Sequence, residues 1–173
     1  MHNIDVDGYQ VIACASKLSD VDKDFINPFL RAANEVFLDL GKYPIQKGEL
    51  TLRGMECFAD DIMILMSVEG GLKGSVVFCM DEETSKKFAS SFLMGIQVSQ
   101  VDSMALNSLK EFSIRVSEKA KRLLGELGHL TNVRHEVVFK QLLSLSQASP
   151  FLTLSLNTPH GPVKVFFNIV RTH

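Results

Sequence analysis

The sequence has little of what disulfide-bonded, metal-binding or nucleic-acid-binding proteins need. Its 173 residues include three cysteines, five histidines and no tryptophan. The cysteines are odd in number and form no CxxC pair, so we expect reduced thiols packed inside a cytoplasmic protein. The histidines show no metal-ligand spacing, so no metal site is expected. With 18 Lys and Arg against 20 Asp and Glu, the chain also lacks the basic excess that binding to nucleic acid requires.

No apolar run in the sequence is long enough to cross a membrane. The most apolar stretch, residues 62–68, is far shorter than the ~20 residues of a transmembrane helix. The first residues are acidic and precede a short apolar segment, whereas a signal peptide carries basic residues there. We therefore expect a cytoplasmic protein with no membrane contact.

What the chain does have is the composition of one folded domain. Apolar residues make up 46% of the sequence and charged residues 22%, and a chain of this length buries roughly 70% of its unfolded surface. Residues 1–21 are weakly periodic, so they are predicted to be an N-terminal extension that adds a short strand around Tyr9–Ala13. Residues 22–173 are predicted to form the domain.

Helical and strand patterns alternate within this predicted domain. Three helices are predicted to begin after aspartates and to end at Gly41, Gly95 and Gly128. Strands are predicted at residues 50–55, 62–68, 72–80, 133–139, 151–158 and 163–170. The order of a long helix, a lone strand and a hairpin occurs twice, with an offset of about 80 residues between the copies. We therefore expect an α+β fold from an internal duplication, with long helices packed on a mostly antiparallel sheet.

The longest predicted helix has an apolar stripe that fixes which of its residues face outward. The stripe recurs at spacings of three, four and seven residues: Ala105, Leu109, Phe112, Val116, Leu123 and Leu127. At about 100° per residue, the opposite side carries four polar residues and one apolar residue: Asn107, Glu111, Glu118, Lys121 and Ile114. Ile114 is either an isolated exposed side chain or, ringed by Lys110 and Arg115, an anchor for a protein contact.

Together these segments resemble the CheX members of the CheC/CheX family of chemotaxis phosphatases. The resemblance runs from about Ile26 to the last strand. It is carried by three segments in this order: Ile26-Asn27-Pro28-Phe29 through Leu40-Gly41, then Gly70-Gly71-Leu72-Lys73-Gly74-Ser75, then Met94-Gly95 before the long helix. The resemblance implies a pseudo-symmetric fold in which long helices lie on a sheet.

The resemblance also implies an activity. Members of this family remove the phosphoryl group from the aspartate of a phosphorylated CheY-type response regulator. They use a surface Glu-x-x-Asn motif, in which the Glu engages the regulator's lysine and the Asn orients the attacking water. The regulator supplies Mg²⁺, so no cofactor of the chain's own is expected. Two such side chains can catalyse the reaction without a nucleophile, because phosphoryl transfer depends mainly on positioning and charge stabilisation.

Carried over to this sequence, the motif is incomplete. Its Glu falls on Glu111, but its Asn position falls on Ile114, whose hydrocarbon side chain cannot hold a water by hydrogen bonds. Some family members carry a second motif on the first helix. At the offset of 80, Arg31 corresponds to Glu111 and Asn34 to Ile114, so this second half-site is degenerate as well.

Two functions therefore remain open. In the first, the chain binds a phosphorylated CheY-type regulator with weak or no phosphatase activity, through five residues around Glu111: Asn107, Lys110, Ile114, Arg115 and Glu118. In the second, it is an active phosphatase in which Glu111 docks the regulator and an unrecognised group places the water; Asn107 is the nearest candidate. The resemblance also implies a homodimer, and a dimeric scaffold without a regulator partner is a third possibility.

Overall fold

The computed structural model describes residues 2–6, 9–13, 23–39, 46–53, 62–139 and 151–172. The elements in these ranges are β1 (His2–Val6), β2 (Tyr9–Ala13), α1 (Lys23–Asp39), β3 (Gln46–Arg53), β4 (Ile62–Gly70), β5 (Leu72–Met80), α2 (Glu82–Phe92), α3 (Ser103–Glu126), β6 (Thr131–Phe139), β7 (Phe151–Thr158) and β8 (Gly161–Arg171). None of the described helices is long and apolar enough to cross a membrane.

The predicted elements are present, with differences at their ends. β2, β5 and β7 have the predicted bounds, whereas β3 begins four residues earlier than expected, at Gln46. β1 was not predicted. Together with β2 it places two strands in the segment expected to be an extension, and β2 joins the sheet beside β3. The predicted end of the first helix at Gly41, and two of the cysteines, lie outside the described residues, while the third cysteine, Cys79, is buried.

Local hydrogen bonds explain where α2 and α3 begin. The Asp81 side chain accepts from the Thr84 N–H at 2.7 Å, and the Asp102 side chain accepts from the Ala105 N–H at 3.0 Å. Each aspartate therefore satisfies one of the free donors in the first turn of its helix. The predicted stripe of α3 is buried except for Leu127, which is half exposed because the helix has already ended at Glu126.

The sheet has eight described strands in the order β1-β2-β3-β7-β8-β5-β4-β6. All neighbours are antiparallel except β2 and β3, which are parallel and meet at Val11 and Leu50. Exchanging the two copies, β3 with β6, β4 with β7 and β5 with β8, reverses the order of the last six strands and leaves every pairing unchanged. This palindrome confirms the predicted pseudo-symmetric α+β fold with a mostly antiparallel sheet.

The long helices α1 and α3 pack side by side in opposite directions on one face of the sheet. Phe25 near the start of α1 meets His129 beyond the end of α3, with ring centroids 5.4 Å apart. Farther along, Phe37 meets Phe112 at 6.3 Å. The Phe112 ring also lies edge-on to Phe78 of the sheet and to Phe88 and Phe92 of α2. This aromatic cluster fixes the corner at which α2 meets α3.

Candidate functional site

A cleft of about 400 Å³ lies between the end of α2 and the first half of α3. Residues of both helices line it: Phe92, Leu93, Ser103, Met104, Asn107, Ser108, Glu111 and Arg115. The lining residues of α3 recur at four-residue spacing, which places them on one face of that helix. The α3 wall of the cleft is therefore polar except for Met104, and the wall at the end of α2 is apolar.

The outward phase predicted for α3 agrees with the observed exposure of its polar residues. Five of the predicted site residues are exposed: Asn107, Lys110, Glu111, Arg115 and Glu118. Ile114 differs from them because it is half buried. The helix thus presents its charged side chains to solvent around Glu111.

Glu111 is held by an ion pair on its own helix. The Arg115 Nε donates to the Glu111 Oε1 at 3.0 Å, and both side chains are about half exposed. The Arg115 guanidinium also lies 5.7 Å from the centre of the Phe92 ring, within the range of a cation–π contact. At this exposure such a pair contributes at most about 1 kcal/mol to stability. Its main effect is on geometry, because it keeps the Glu111 carboxylate against the wall of the cleft.

The structure brings Glu111 together with Asn107 rather than with Ile114 at the cleft. Asn107 and Glu111 both line it, one helical turn apart. Ile114 is not among the lining residues and is half buried. The Asn107 amide can both donate and accept hydrogen bonds to a water in the cleft. It precedes Glu111 along the helix, whereas the motif position follows Glu111.

The second half-site on α1 is separate from this cleft. Arg31 is exposed and Asn34 is half buried, and neither lines the cleft. The neighbouring Glu35 is bound across the helix interface, with its Oε2 3.4 Å from the Lys119 Nζ and 3.9 Å from Arg122. The outer face of α1 is thus tied to α3 by ion pairs, which the sequence alone did not indicate.

Sequence reasoning missed the apolar wall of the cleft. Phe92 and Leu93, which form this wall, are both half buried. Ser103, Met104 and Ser108 were not predicted to belong to a site. One signal was available: α2 and α3 are joined by a short segment, so their facing ends must form a corner.

Within the described ranges, no group of three or more His, Cys, Asp or Glu side chains could hold a metal ion.

Comparison with known proteins gives one relative in sequence. No family model matches the chain. The CheY-P phosphatase CheX of Thermotoga maritima is 25% identical to it over 109 residues, which cover 62% of this chain and 70% of that protein. Over these residues the chain is similar in sequence to that CheX. This confirms the resemblance that the sequence motifs predicted, while the roles of the individual motif residues stay predictions.

Solved structures show a likeness to the chain in fold. A CheC-like superfamily protein from Shewanella sp. PV-4 has a TM-score of 0.74 at 20% identity, covering 88% of this chain and all of that one. The chemotaxis protein CheX of Vibrio vulnificus has a TM-score of 0.71 at 18% identity, covering 85% and 98%. A CheX–CheY–BeF₃–Mg²⁺ complex from Borrelia burgdorferi matches with a TM-score of 0.68 at 20% identity, covering 85% and 98%.

Proposed function

We propose that this CheX-like chain binds a phosphorylated CheY-type response regulator at the cleft between α2 and α3. The observation that carries the proposal is the placement of Glu111. It occupies the position that the resemblance gives to the motif's Glu, it is exposed, and it lies on the wall of a cleft. A solved relative of the same fold forms a complex with CheY, which supports this class of partner.

The chemistry of docking is a charge-assisted contact. Glu111 would accept a hydrogen bond from a lysine of the regulator, and such bonds are about twice as strong as neutral ones. Arg115 already occupies one Glu111 oxygen, so the regulator's cation approaches the other oxygen or displaces the guanidinium. The other proposed contact residues lie around this carboxylate: Asn107, Lys110, Ile114, Arg115 and Glu118. Mg²⁺ belongs to the regulator in this proposal, and the chain contributes no cofactor.

Weak or absent phosphatase activity is part of the proposal. Ile114 stands where the family's motif has its Asn, and its side chain has no hydrogen-bonding atom with which to orient a water. Removal of one preorganised hydrogen-bonding group commonly lowers a rate by ~10²-fold or more. The chain would then hold the phosphorylated regulator without greatly shortening its lifetime.

A second candidate function is an active phosphatase in which Asn107 orients the water. The observation in its favour is that Asn107 lines the same cleft as Glu111. Asn107 precedes Glu111 by four residues, whereas the family's Asn follows its Glu by three. The regulator would therefore have to dock turned around relative to the helix for both contacts to form.

The binding experiment uses a CheY-type response regulator activated by beryllofluoride and Mg²⁺, titrated with this protein in a calorimeter. We expect the activated regulator to bind and the unactivated regulator to bind more weakly. Glu111→Gln should weaken binding by roughly tenfold or more, because the regulator's cation loses its charged acceptor. The matched control is Glu126→Gln, the same substitution at an exposed position near the far end of α3. Absence of binding to the activated regulator, or equal losses in the two variants, would contradict the proposal.

We further propose that the protein is a cytoplasmic homodimer. The cytoplasmic location is inferred from the proposed partner. A dimer is supported by β6, which lies at one end of the described sheet and pairs there with β4 alone. Such an edge leaves a row of backbone donors and acceptors available for another chain. Light scattering measures the molar mass of the protein in solution. If the protein is a dimer but does not bind the activated regulator, it is a scaffold instead.

A further inference from the structure

The corner between α2 and α3 exposes three large apolar side chains. Met94 is 98% exposed, Ile96 60% and Met104 46%. We call these three residues the corner patch. Single exposed apolar residues are common on protein surfaces. Several at one corner are less common, because burial stabilises none of these side chains in the free protein.

The corner patch borders the cleft that contains Glu111. Met104 is itself a lining residue, and so is Leu93, which directly precedes Met94. The Ile96 N–H donates to the Leu93 carbonyl oxygen at 3.1 Å, which keeps the turn folded back on the end of α2. A protein that enters the cleft from this side therefore meets the corner patch as well.

The backbone at Met94 is strained. Its φ of 56° lies in the left-handed region, and it is the one residue other than glycine with a positive φ in the part of the chain that the structure describes. Glycine is usual at such a position after a helix, because a Cβ there is too close to the carbonyl oxygen that follows it. A strained residue that presents a wholly exposed methionine is typical of a surface kept for a contact.

The charge around the corner patch indicates the chemistry of its partner. No Lys or Arg occurs between residues 88 and 109, where Asp102 is acidic. Of the charges that follow on α3, Arg115 is paired with Glu111, which leaves Lys110 as a single basic neighbour. An anionic lipid surface would require a cluster of basic residues beside the apolar ones. The complementary surface is instead a protein face that carries a cation next to an apolar area.

We propose that the corner patch is the apolar part of the docking surface for the response regulator. The inference rests on the proposed function and extends it. The regulator's cation contacts Glu111 while an adjacent apolar area of the regulator covers Met94 and Ile96. Methionine suits this role, because its unbranched, polarisable side chain adapts to the surface that packs on it. Apolar anchors of this kind carry a large share of the affinity of protein interfaces.

The test compares variants in the same titration with the beryllofluoride-activated CheY-type regulator. Met94→Gly and Ile96→Gln should each raise the Kd by roughly five- to tenfold. The matched control is Leu130→Gln, which changes an 84% exposed leucine beyond the other end of α3 and should leave the Kd within about twofold. Met94→Gly should also raise the unfolding midpoint by about 2–4 °C as the strain is relieved, so that weaker binding is separated from weaker folding.

Three results would overturn the inference. If Glu111→Gln weakens binding but Met94→Gly and Ile96→Gln do not, the corner patch lies outside the interface and the proposed function stands. If the wild-type protein does not bind the activated regulator, the proposed function fails first. If the two corner variants change the oligomeric state in sedimentation, or abolish binding to phosphatidylserine vesicles, while the Kd for the regulator is unchanged, the corner patch contacts a second copy or a lipid surface.

Discussion

Ile114 and Asn107 lie on the same helix as Glu111, on either side of it along the chain. The difference between them is chemical and positional: Asn107 can hydrogen bond to a water and lines the cleft, while Ile114 can do neither. A carboxylate alone can dock a cation, but it leaves the attacking water without an orienting group. The residues of α3 therefore support binding more directly than turnover.

We expect the rate of regulator dephosphorylation to depend on the side chain at position 114 and not on the side chain at position 107. Ile114→Asn restores the family's motif at a half-buried site, and it should accelerate loss of phosphate from a phosphorylated regulator by roughly tenfold or more. The native chain should accelerate it only slightly. The measurement is the decay of radiolabelled regulator phosphate with and without each protein.

The same decay measurement on Asn107→Ala separates the two candidate functions. Its matched control is Asn132→Ala, at an exposed position on β6. No change in either variant agrees with a binding protein. Fast loss of phosphate with the native chain, abolished by Asn107→Ala alone, would show that the second candidate is correct.

At the scale of single residues, the sequence could predict the exposure of Glu111 but not the cleft beside it. Helical phase is a local property, so the stripe of α3 was enough to place Glu111 on the outside. The opposite wall comes from Phe92 and Leu93 of another helix. Their position depends on how α2 packs at the aromatic cluster around Phe112, which no local pattern encodes.

The secondary-structure elements were predictable where their signals are local. Capping aspartates mark the starts of α2 and α3, and the hairpin glycines mark the turn between β4 and β5. β1 was missed because it is short, with two apolar residues (Ile4 and Val6), and because it pairs within the described strands only with β2. The early start of β3 was missed because Gln46 and Lys47 are polar and join the sheet through pairing with β7.

Gly74 is a residue of strand β5 that leaves no room for a side chain. A Cβ at this position would lie 1.8 Å from the Asn168 carbonyl oxygen of the adjacent strand, and its φ of 148° strains any side chain. Gly74→Ala should therefore lower the free energy of unfolding by at least about 2 kcal/mol. Urea denaturation followed by circular dichroism measures the change.

Gly125 provides the control for Gly74. It lies in the last turn of α3, and a Cβ added there would meet no described atom within 4 Å beyond the backbone of its own helix. Gly125→Ala should raise the free energy of unfolding by about 0.5–1 kcal/mol, because alanine is the better helix former. A similar effect of the two substitutions would show that the close approach of β5 and β8 does not exclude a side chain at position 74.

At the scale of the whole molecule, the two copies are interleaved rather than adjacent. β3 of the first copy pairs with β7 of the second, β4 pairs with β6, and β5 pairs with β8 at the centre. The offset of 80 residues predicted the duplication from the sequence. The order of the strands could not be predicted, because these pairings join residues far apart in the chain.

Interleaving predicts that the domain unfolds as a unit. Without the other copy, the strands of each copy have unpaired edges. Unfolding of one copy therefore exposes the backbone hydrogen-bonding groups of the other copy as well. Hydrogen exchange in increasing urea, followed by mass spectrometry, should show β4 and β7 losing protection together at one midpoint. Separate midpoints for these two strands, one from each copy, would contradict this expectation.

The palindromic sheet has a consequence for how such a protein can change over evolution. Because the six strands keep their neighbours when the copies change places, a circularly permuted gene that begins at α3 and continues through β8 into α1 encodes the same set of pairings. Each copy supplies one long helix with an outward surface, and the side chains on that surface take no part in the pairing of the strands. Mutation can therefore erase the chemistry of one helix, or of both, while the scaffold is inherited intact.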